Sequence, residues 1–463
     1  MAKLFLILLS SGVLFSSGSM LLASPIEKDL EAKIAEFEKR LAELEKRNKE
    51  LQVDATGASS TEAQYKELQR QLDILATEVE RIRSVEQSTK LTKEDASKQG
   101  VGLSASSVYS KSEGLSFSGY GEMVYQNYSD KKEDGTVLDK TSQMDFLRAI
   151  LYAGYRFNDK FLFNSEIELE HGSTSEGGSV SVEFAYLDYI AHENLTLRGG
   201  MLLIPMGLTN EFHEPNVFMG VHRPFTERHI IPTTWRESGF GAVGSAGIVN
   251  YRAYVVNGFN GAKFSASGLR DGRQKGAKAK ASDMAFVGRL DIAPTPGVFF
   301  GGSLYRGGSG QNQLAVDDKK LKVMTTIGEI HGQVQLQGWD VRGLWAKATL
   351  DDVAALNTHL SKTGQSKIAK SMLGGYFQAG YNVFSQLFAN VSLLPYYRFE
   401  RLNTHDGLVG TIDVDLGLDK TFHTVGLELK PIYNVVVKAD YQTTRNKAKT
   451  GYNQLNISLG YSF

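Results

Sequence analysis

From about residue 115 onward, apolar and polar side chains alternate with a period of two. The segment FLFNSEIELE places Phe161 and Leu169 on one face and Glu166, Glu168 and Glu170 on the other. This period is that of a β-strand with one apolar and one polar face. Such a strand belongs either to a sandwich with a half-buried sheet or to a membrane barrel with lipid on one side and water on the other.

Three features favour the membrane barrel. The segments are about 10–13 residues long, which is longer than the usual strand of a soluble protein. Aromatic residues cluster at segment ends, as expected for interfacial girdles. Short and long connections alternate, as in outer-membrane barrels with short periplasmic turns and long outer loops. We count sixteen segments: 116–128, 143–157, 160–171, 179–191, 195–205, 236–245, 248–258, 283–293, 297–306, 322–336, 338–348, 371–382, 386–400, 419–430, 433–443 and 452–463.

Residues 25–84 follow a different, helical period. Apolar residues recur at alternating spacings of three and four in two stretches, which are separated by DATGASST. This heptad pattern predicts a coiled coil, either a hairpin within one chain or, as we favour, an association of identical chains. A polar Asn at a seam position fixes register and oligomeric state. The residues predicted to form the oligomer seam are Leu41, Leu44, Asn48 and Leu51.

The remaining segments complete the predicted domain organisation. Residues 1–23 carry Lys3, an apolar stretch and small residues, as in a secretory signal peptide. Residues 85–114 are rich in Ser, Lys, Thr and Gly, which predicts a flexible linker. The sequence therefore predicts a signal peptide (1–23), a periplasmic coiled coil (25–84), a linker (85–114) and an outer-membrane β-barrel (115–463).

Composition removes several classes of function. The chain of 463 residues has no Cys, which excludes disulfides and thiolate chemistry. A formal net charge of −1 gives no reason to expect a nucleic-acid partner. The histidines show neither a metal-binding spacing nor a nearby Ser motif, so we expect no metal, no cofactor and no catalytic residues.

Charged residues on the inward faces of the strands predict a water-filled lumen, because such side chains do not pack as a dry core. A barrel of sixteen strands is wide enough for an aqueous channel. The residues predicted to line the pore are Arg148, Glu166, Glu168, Glu170, Arg198, Glu329, Arg342 and Arg398.

The longest connection, 206–236, is too apolar for a loop that lies in water. We expect it to fold into the barrel and narrow it, with Glu211 and Glu214 facing Arg223 and Arg228 across a transverse field. The alternative is that these charges pair at a subunit contact. The predicted constriction comprises Glu211, His213, Glu214, His222, Arg223, Arg228 and Arg236.

Four segments carry a family resemblance: GGMLLIPMGL, RPFTERHIIPTTWRESG, LLPYYRFERLNT and TVGLELKPIYNVVVKADYQ. They resemble bacterial porins grouped with the phosphate-selective porin O and P family. The resemblance implies a trimeric, passive, water-filled outer-membrane channel, and Phe463 resembles the terminal signal read by the barrel-assembly machinery. Phosphate selectivity is not carried over, because the predicted lumen charges are mixed instead of forming a ladder of Arg.

The sequence thus predicts a homotrimeric porin for small hydrophilic solutes and ions. Its expected partners are outer-membrane lipid and lipopolysaccharide, whose phosphates the basic 259–282 link could bind, and the assembly machinery. The rival hypothesis is a structural anchor, in which the coiled coil reaches peptidoglycan and the barrel only holds it in the membrane.

Overall fold

A computed structural model describes Arg70 and residues 98–463, apart from 173–174, 389–390 and 408–413. The chain divides into two units, 1–90 and 91–463. In the first unit only Arg70 is described, and it is helical. The predicted signal peptide, the oligomer seam and the rest of the predicted coiled coil lie outside the described residues, so they stay predictions.

In the described part of the second unit, sixteen long antiparallel strands close into a barrel, and two short strands, β10 and β11, pair separately. Closure is made by β1, which pairs with both β2 and β18. The predicted all-β, sixteen-stranded barrel is therefore confirmed. The strands are β1 (Gly114–Tyr128), β2 (Gln143–Arg156), β3 (Phe161–Glu170), β4 (Val180–His192), β5 (Leu195–Leu203), β6 (Arg236–Ala246), β7 (Val249–Asn257), β8 (Met284–Thr295), β9 (Val298–Gly308), β10 (Ala315–Val316), β11 (Lys319–Lys320), β12 (Met324–Leu336), β13 (Trp339–Leu350), β14 (Ser371–Tyr381), β15 (Ser392–Gly407), β16 (Asp419–Ile432), β17 (Val435–Asn446) and β18 (Asn453–Ser462).

Within the described barrel unit, helices are few and short. Two α-helices, α1 (Phe225–His229) and α2 (Val353–His359), lie in long connections. Five 3₁₀ turns span Ala105–Ser110, Gly261–Lys263, Arg270–Gly272, Gly364–Ser366 and Leu416–Leu418. Among the residues described, no helix is both long and apolar enough to cross a membrane.

One predicted strand is displaced along the chain. The sequence pattern predicts it at 386–400, whereas β15 runs from Ser392 to Gly407. The side-chain oxygen of Asn382 accepts hydrogen bonds from the backbone N–H groups of Phe384 and Leu393, which builds a turn in place of an early strand start. At its other end β15 stays paired with β14 and β16 through a polar stretch that period-two hydrophobicity does not reveal.

Connection lengths define two ends of the barrel. At the short-turn end the links include 157–160, 193–194, 247–248 and 337–338, although 382–391 is longer than predicted. At the long-loop end lie 129–142, 204–235, 258–283 and 351–370. The long loops carry the α-helices and the hairpin of β10 and β11.

Burial alternates along the strands and separates two faces. On β14, Met372, Tyr376 and Gln378 are buried, whereas Phe377 between them is about half exposed. The exposed face is apolar on most strands, and the buried face carries most of the charged residues. This is the reverse of a soluble protein and is the pattern of a wall between lipid and a polar interior.

Part of the predicted linker is folded inside the barrel. The 3₁₀ turn Ala105–Ser110 packs against the inner faces of β1, β2 and β3. Val108 fills the space at Gly154, where an added Cβ would lie only 2.7 Å from the Cβ of Val108. The prediction of a flexible linker is therefore wrong from residue 98 onward, since Val101, Ala105 and Val108 are buried.

We predict that an arginine at the middle of the outward face destabilises the barrel far more than one at its rim. Leu427 lies mid-strand on β16 and is 50% exposed, whereas Val180 begins β4 and is 55% exposed. Leu427→Arg should lower the free energy of unfolding by about 2–4 kcal/mol and Val180→Arg by about 0–1 kcal/mol, because the penalty for a charge on the lipid face rises with its depth in the membrane. Urea unfolding from lipid vesicles measures both, and equal costs would contradict a lipid-facing wall.

Candidate functional site: the loop inside the barrel

The connection between β5 and β6 folds into the barrel instead of extending into solvent. Pro205, Pro215, Pro224 and Pro232 interrupt any regular strand. Its apolar side chains supply the driving force for burial. Those that are almost completely buried are Ile204, Met206, Phe218, Met219, Val221, Ile230, Ile231 and Trp235.

Glu227 on α1 holds the two ends of this loop together. One carboxylate oxygen accepts from the N–H groups of Leu208 and Thr209, at 2.9 and 2.7 Å, and from the Thr209 hydroxyl. The other accepts from the hydroxyl of Tyr376 on β14, at 2.6 Å. Burial raises the pKa of Glu227, against the lowering effect of these donors. Gly207 has φ +74°, and an added Cβ would lie 2.5 Å from the Glu227 carboxylate.

Hydrogen bonds and ion pairs fasten the loop around the inner circumference of the barrel. The loop groups involved are backbone N–H and carbonyl groups as well as side chains. The wall residues that they meet are Gln126, Glu166, Glu183, Arg252, Arg289, Glu329, Tyr376, Arg398, Glu400, Lys438, Asp440 and Ser462.

Glu211 and Glu214 meet partners that sequence reasoning did not predict. Glu211 lies 3.0 Å from Arg252 and 3.7 Å from Arg289, both on the wall. Glu214 accepts from the backbone and hydroxyl of Ser104, in the N-terminal segment. Both glutamates are almost fully buried.

In the described residues, Glu211 and Glu214 therefore do not face Arg223 and Arg228 as expected. A carboxylate that is buried against a partner does not contribute to a row of charges exposed to water.

His213 reaches another part of the wall, on β3 and β4. Its Nε2 lies 3.1 Å from Glu166 on β3 and 3.2 Å from Glu183 on β4. Glu183 points inward because β4 has a bulge: Glu166 pairs with Phe184 and Ile167 with Val182, which leaves Glu183 as the extra residue. Arg236, at the start of β6, donates to Glu183 at 2.7 Å.

Three basic residues of the loop keep access to solvent. Arg228 is exposed, and His222 and Arg223 are partly exposed. Their position within the barrel removes part of their surrounding water, which lowers the pKa of Arg223 and of Arg228, and the nearby charge of Arg148 lowers both further. The amide of Gln126 donates to His222 at 2.8 Å.

The residues predicted to line the pore lie on the inward face, and most are paired. Arg148 lies 3.5 Å from Glu122 and 3.6 Å from Glu168. Glu170 accepts from Ser179. Further inward contacts join Arg198 to Asp188, Glu329 to His331, Arg342 to Asp340, and Arg398 to the carbonyl of His222.

Many of these inward charges are more buried than expected for a lumen open to water. Arg198, for example, is held by both oxygens of Asp188 at 2.8 and 2.9 Å and also donates to Tyr109. The reason is that the loop and residues 98–110 cover the inner wall and supply it with partners. Bidentate pairing of this kind is what a buried charge requires.

Sequence reasoning missed several members of this network. Asp188 and Arg252 could have been found by extending the period-two alternation along β4 and β7. Glu183 could not, because a bulge inverts its direction. Tyr109 and Ser104 lie in a stretch that composition alone assigned to a linker.

The closed barrel of sixteen strands with a long connection folded into its interior defines the class of fold, a porin-type barrel. The outer membrane channel DcaP of Acinetobacter baumannii aligns with a TM-score of 0.50 over 75% of this chain and 97% of that chain, at 13% identity. The anion-selective porin from Comamonas acidovorans aligns with a TM-score of 0.48 over 76% of this chain and all of that chain, at 11% identity. The likeness to DcaP shows the fold alone.

A sequence relative assigns the family. An uncharacterized protein of Aquifex aeolicus (strain VF5) is 37% identical over 375 residues, which cover 79% of this chain and 83% of the relative. The chain belongs to the family of this Aquifex protein. No protein-family model matches the chain, so the resemblance to the phosphate-selective porin O and P family stays a prediction.

We predict that the loop depends on Glu227 more than on any single donor to it. Glu227→Ala should lower the free energy of opening the loop by about 3 kcal/mol, because it leaves buried N–H groups unsatisfied. Glu227→Gln keeps an accepting oxygen and Tyr376→Phe removes one donor, so each should cost about 1 kcal/mol. Limited proteolysis of the folded barrel measures the effect as faster cleavage within 206–235.

If Glu227→Ala and Tyr376→Phe leave the cleavage rate equally unchanged, Glu227 is not the residue that holds this loop.

Proposed function

We propose that this protein is a bacterial outer-membrane porin, which lets small hydrophilic solutes and ions diffuse passively through its barrel. The observation that carries the proposal is the inversion of the two faces, apolar outside and charged inside. Outward residues such as Ile330, Phe377 and Leu427 are half exposed or more, whereas charged residues of the same strands point inward. Transport of this kind needs neither a cofactor nor catalytic residues.

The 206–236 loop is the proposed constriction. Its contacts around the wall support this role, because a segment fixed on all sides narrows the lumen without moving freely. The charges that it offers to solvent are Arg223 and Arg228, while Glu211 and Glu214 are buried against partners. The expected field is therefore positive and favours anions, in place of a balanced transverse field.

Residues 98–110 narrow the lumen further. Their hydrogen bonds to Glu214, Asp188 and Arg198 hold them against both the loop and the wall. The remaining path is consequently narrower than the loop alone would leave, which favours small solutes over large ones.

The remaining features are proposed from the sequence and the fold class. The protein is expected to be a homotrimer in outer-membrane lipid, with the coiled coil in the periplasm. Phe463 is exposed, as a residue read by the barrel-assembly machinery must be. The basic connection 259–282 is a candidate contact for lipopolysaccharide phosphates.

Reversing the charge of Arg223 and Arg228, the two loop arginines with access to solvent, should change ion selectivity. Purified protein in a planar bilayer under a salt gradient should show a reversal potential that favours anions. Arg223→Glu combined with Arg228→Glu should move it toward cations, because the sign of the field at the constriction changes.

The matched control is Lys319→Glu with Lys320→Glu, which makes the same charge change on the exposed β11 and should leave the reversal potential unchanged. Absence of any current from inserted wild-type protein would contradict the porin function. Current with an unshifted reversal potential in the loop variant would contradict only the assignment of the constriction.

A further inference from the structure

Three side chains from three different elements converge inside the barrel. They are Glu166 from β3, Glu183 from the bulge in β4, and His213 from the loop. One carboxylate oxygen from each glutamate and a ring nitrogen of His213 all lie within 4.8 Å of one another. All three residues are buried, with exposed fractions of 0%, 0% and 2%.

The hydrogen bond on the far side of the imidazole fixes which nitrogen is available. Nδ1 of His213 lies 2.8 Å from the carbonyl oxygen of Asn210. A carbonyl only accepts, so Nδ1 carries the hydrogen and donates it. Nε2 then faces the two carboxylates, and a cation must occupy the space between them, because a lone pair among two buried anions is strongly unfavourable.

This role falls either to a proton, carried by Nε2 or by one of the two carboxyl groups, or to a metal ion. Donation of the second ring N–H to a backbone carbonyl is the arrangement that orients metal-ligating histidines.

Unsatisfied oxygens point to the metal. Oε2 of Glu166 is buried and receives no hydrogen bond. Oε2 of Glu183 is also buried; it lies 3.2 Å from Nε2 of His213 but not in hydrogen-bonding geometry. Arg236 binds only Oε1 of Glu183. The hydroxyl of Tyr120 is also buried without a partner, and its ring lies 6.3 Å from that of His213. A single proton on Nε2 serves at most Oε1 of Glu166 and Oε2 of Glu183, and it leaves Oε2 of Glu166 without a donor. A metal ion can take up carboxylate oxygens directly.

We propose that Glu166, Glu183 and His213 form a binding site for a divalent transition-metal ion of the Zn²⁺ class. One imidazole and two carboxylates suit Zn²⁺, whereas Mg²⁺ and Ca²⁺ take oxygen ligands alone. A tetrahedral ion with ligands at 2.0–2.2 Å needs ligand atoms about 3.3–3.6 Å apart. The observed separations from Nε2, 3.1 and 3.2 Å, need only a small expansion.

A metal at this position would tie the loop to β3 and β4, on the side of the lumen opposite Glu227. The proposed metal site does not depend on the proposed porin function, because metal binding is measured without recording any current.

The experiment uses the full-length chain, purified in detergent and stripped with a chelator. Calorimetric titration should show one Zn²⁺ bound per chain, with no competition from Mg²⁺ or Ca²⁺. X-ray absorption of the zinc-loaded protein should show one nitrogen and two or more oxygens at about 2.0–2.2 Å. Failure of the wild-type protein to bind Zn²⁺ would overturn the proposal and leave a proton as the bridging cation.

Variants locate the site. His213→Asn and Glu183→Gln should each weaken Zn²⁺ binding at least about tenfold, because loss of a mere outer-shell partner of a ligand already costs about this much. The matched control is His331→Gln: His331 is also buried between two carboxylates, but its Nδ1 and Nε2 lie 2.8 Å from Glu329 and Asp291 respectively, which engages both nitrogens. The control should bind as the wild type does.

Near-ultraviolet circular dichroism on each variant separates a lost ligand from a lost fold. Unchanged binding in folded His213→Asn, or equal weakening in His331→Gln, would contradict the assignment. If the loop variants do not fold, the absorption spectrum of the wild-type protein decides the ligand set by itself.

Discussion

The rest of the structure depends on one electrostatic constraint: a charge on the inner face of a lipid-embedded wall must be satisfied from within. Lipid on the other side offers no counter-charge and no hydrogen bond. Arg289 shows the result, since it lies between Asp291 on its own strand and Glu211 on the loop, and also donates to the carbonyl of Gly207. The loop is thus part of the charge balance of the wall and not an addition to it.

The same constraint explains why the N-terminal segment lies inside the barrel. Asp188 and Arg198 already pair with each other, and the hydroxyl of Tyr109 adds a donor to the first and an acceptor to the second. The absent side chain of Gly154 makes room for Val108. Two chain segments that approach from different ends of the barrel therefore share one polar network, which Ser104 and Glu214 join directly.

Much of the barrel could be predicted from sequence because period-two alternation is a local property. The strand predicted at 371–382 is observed at Ser371–Tyr381. The pairing of the loop could not be predicted, since Arg252 and Ser104 are distant in sequence from the glutamates that they meet. The bulge at Glu183 adds one residue to β4 and reverses the alternation of inward and outward side chains there. A period-two pattern cannot predict such a reversal. Within the predicted linker, the apolar residues Val101 and Val108 indicated a buried segment, but the polar composition of the stretch as a whole outweighed them.

The central claim, a wall with lipid outside and a protected polar interior, can be tested with the three tryptophans of the chain. Trp339 and Trp345 are about half exposed on the outward face of β13, and Trp235 is fully buried inside the barrel. Variants that keep one tryptophan each, reconstituted in vesicles of brominated phospholipid, report contact with acyl chains by fluorescence quenching. We predict strong quenching of Trp345 and Trp339 and none of Trp235; quenching of Trp235, or none of the outward pair, would contradict the account.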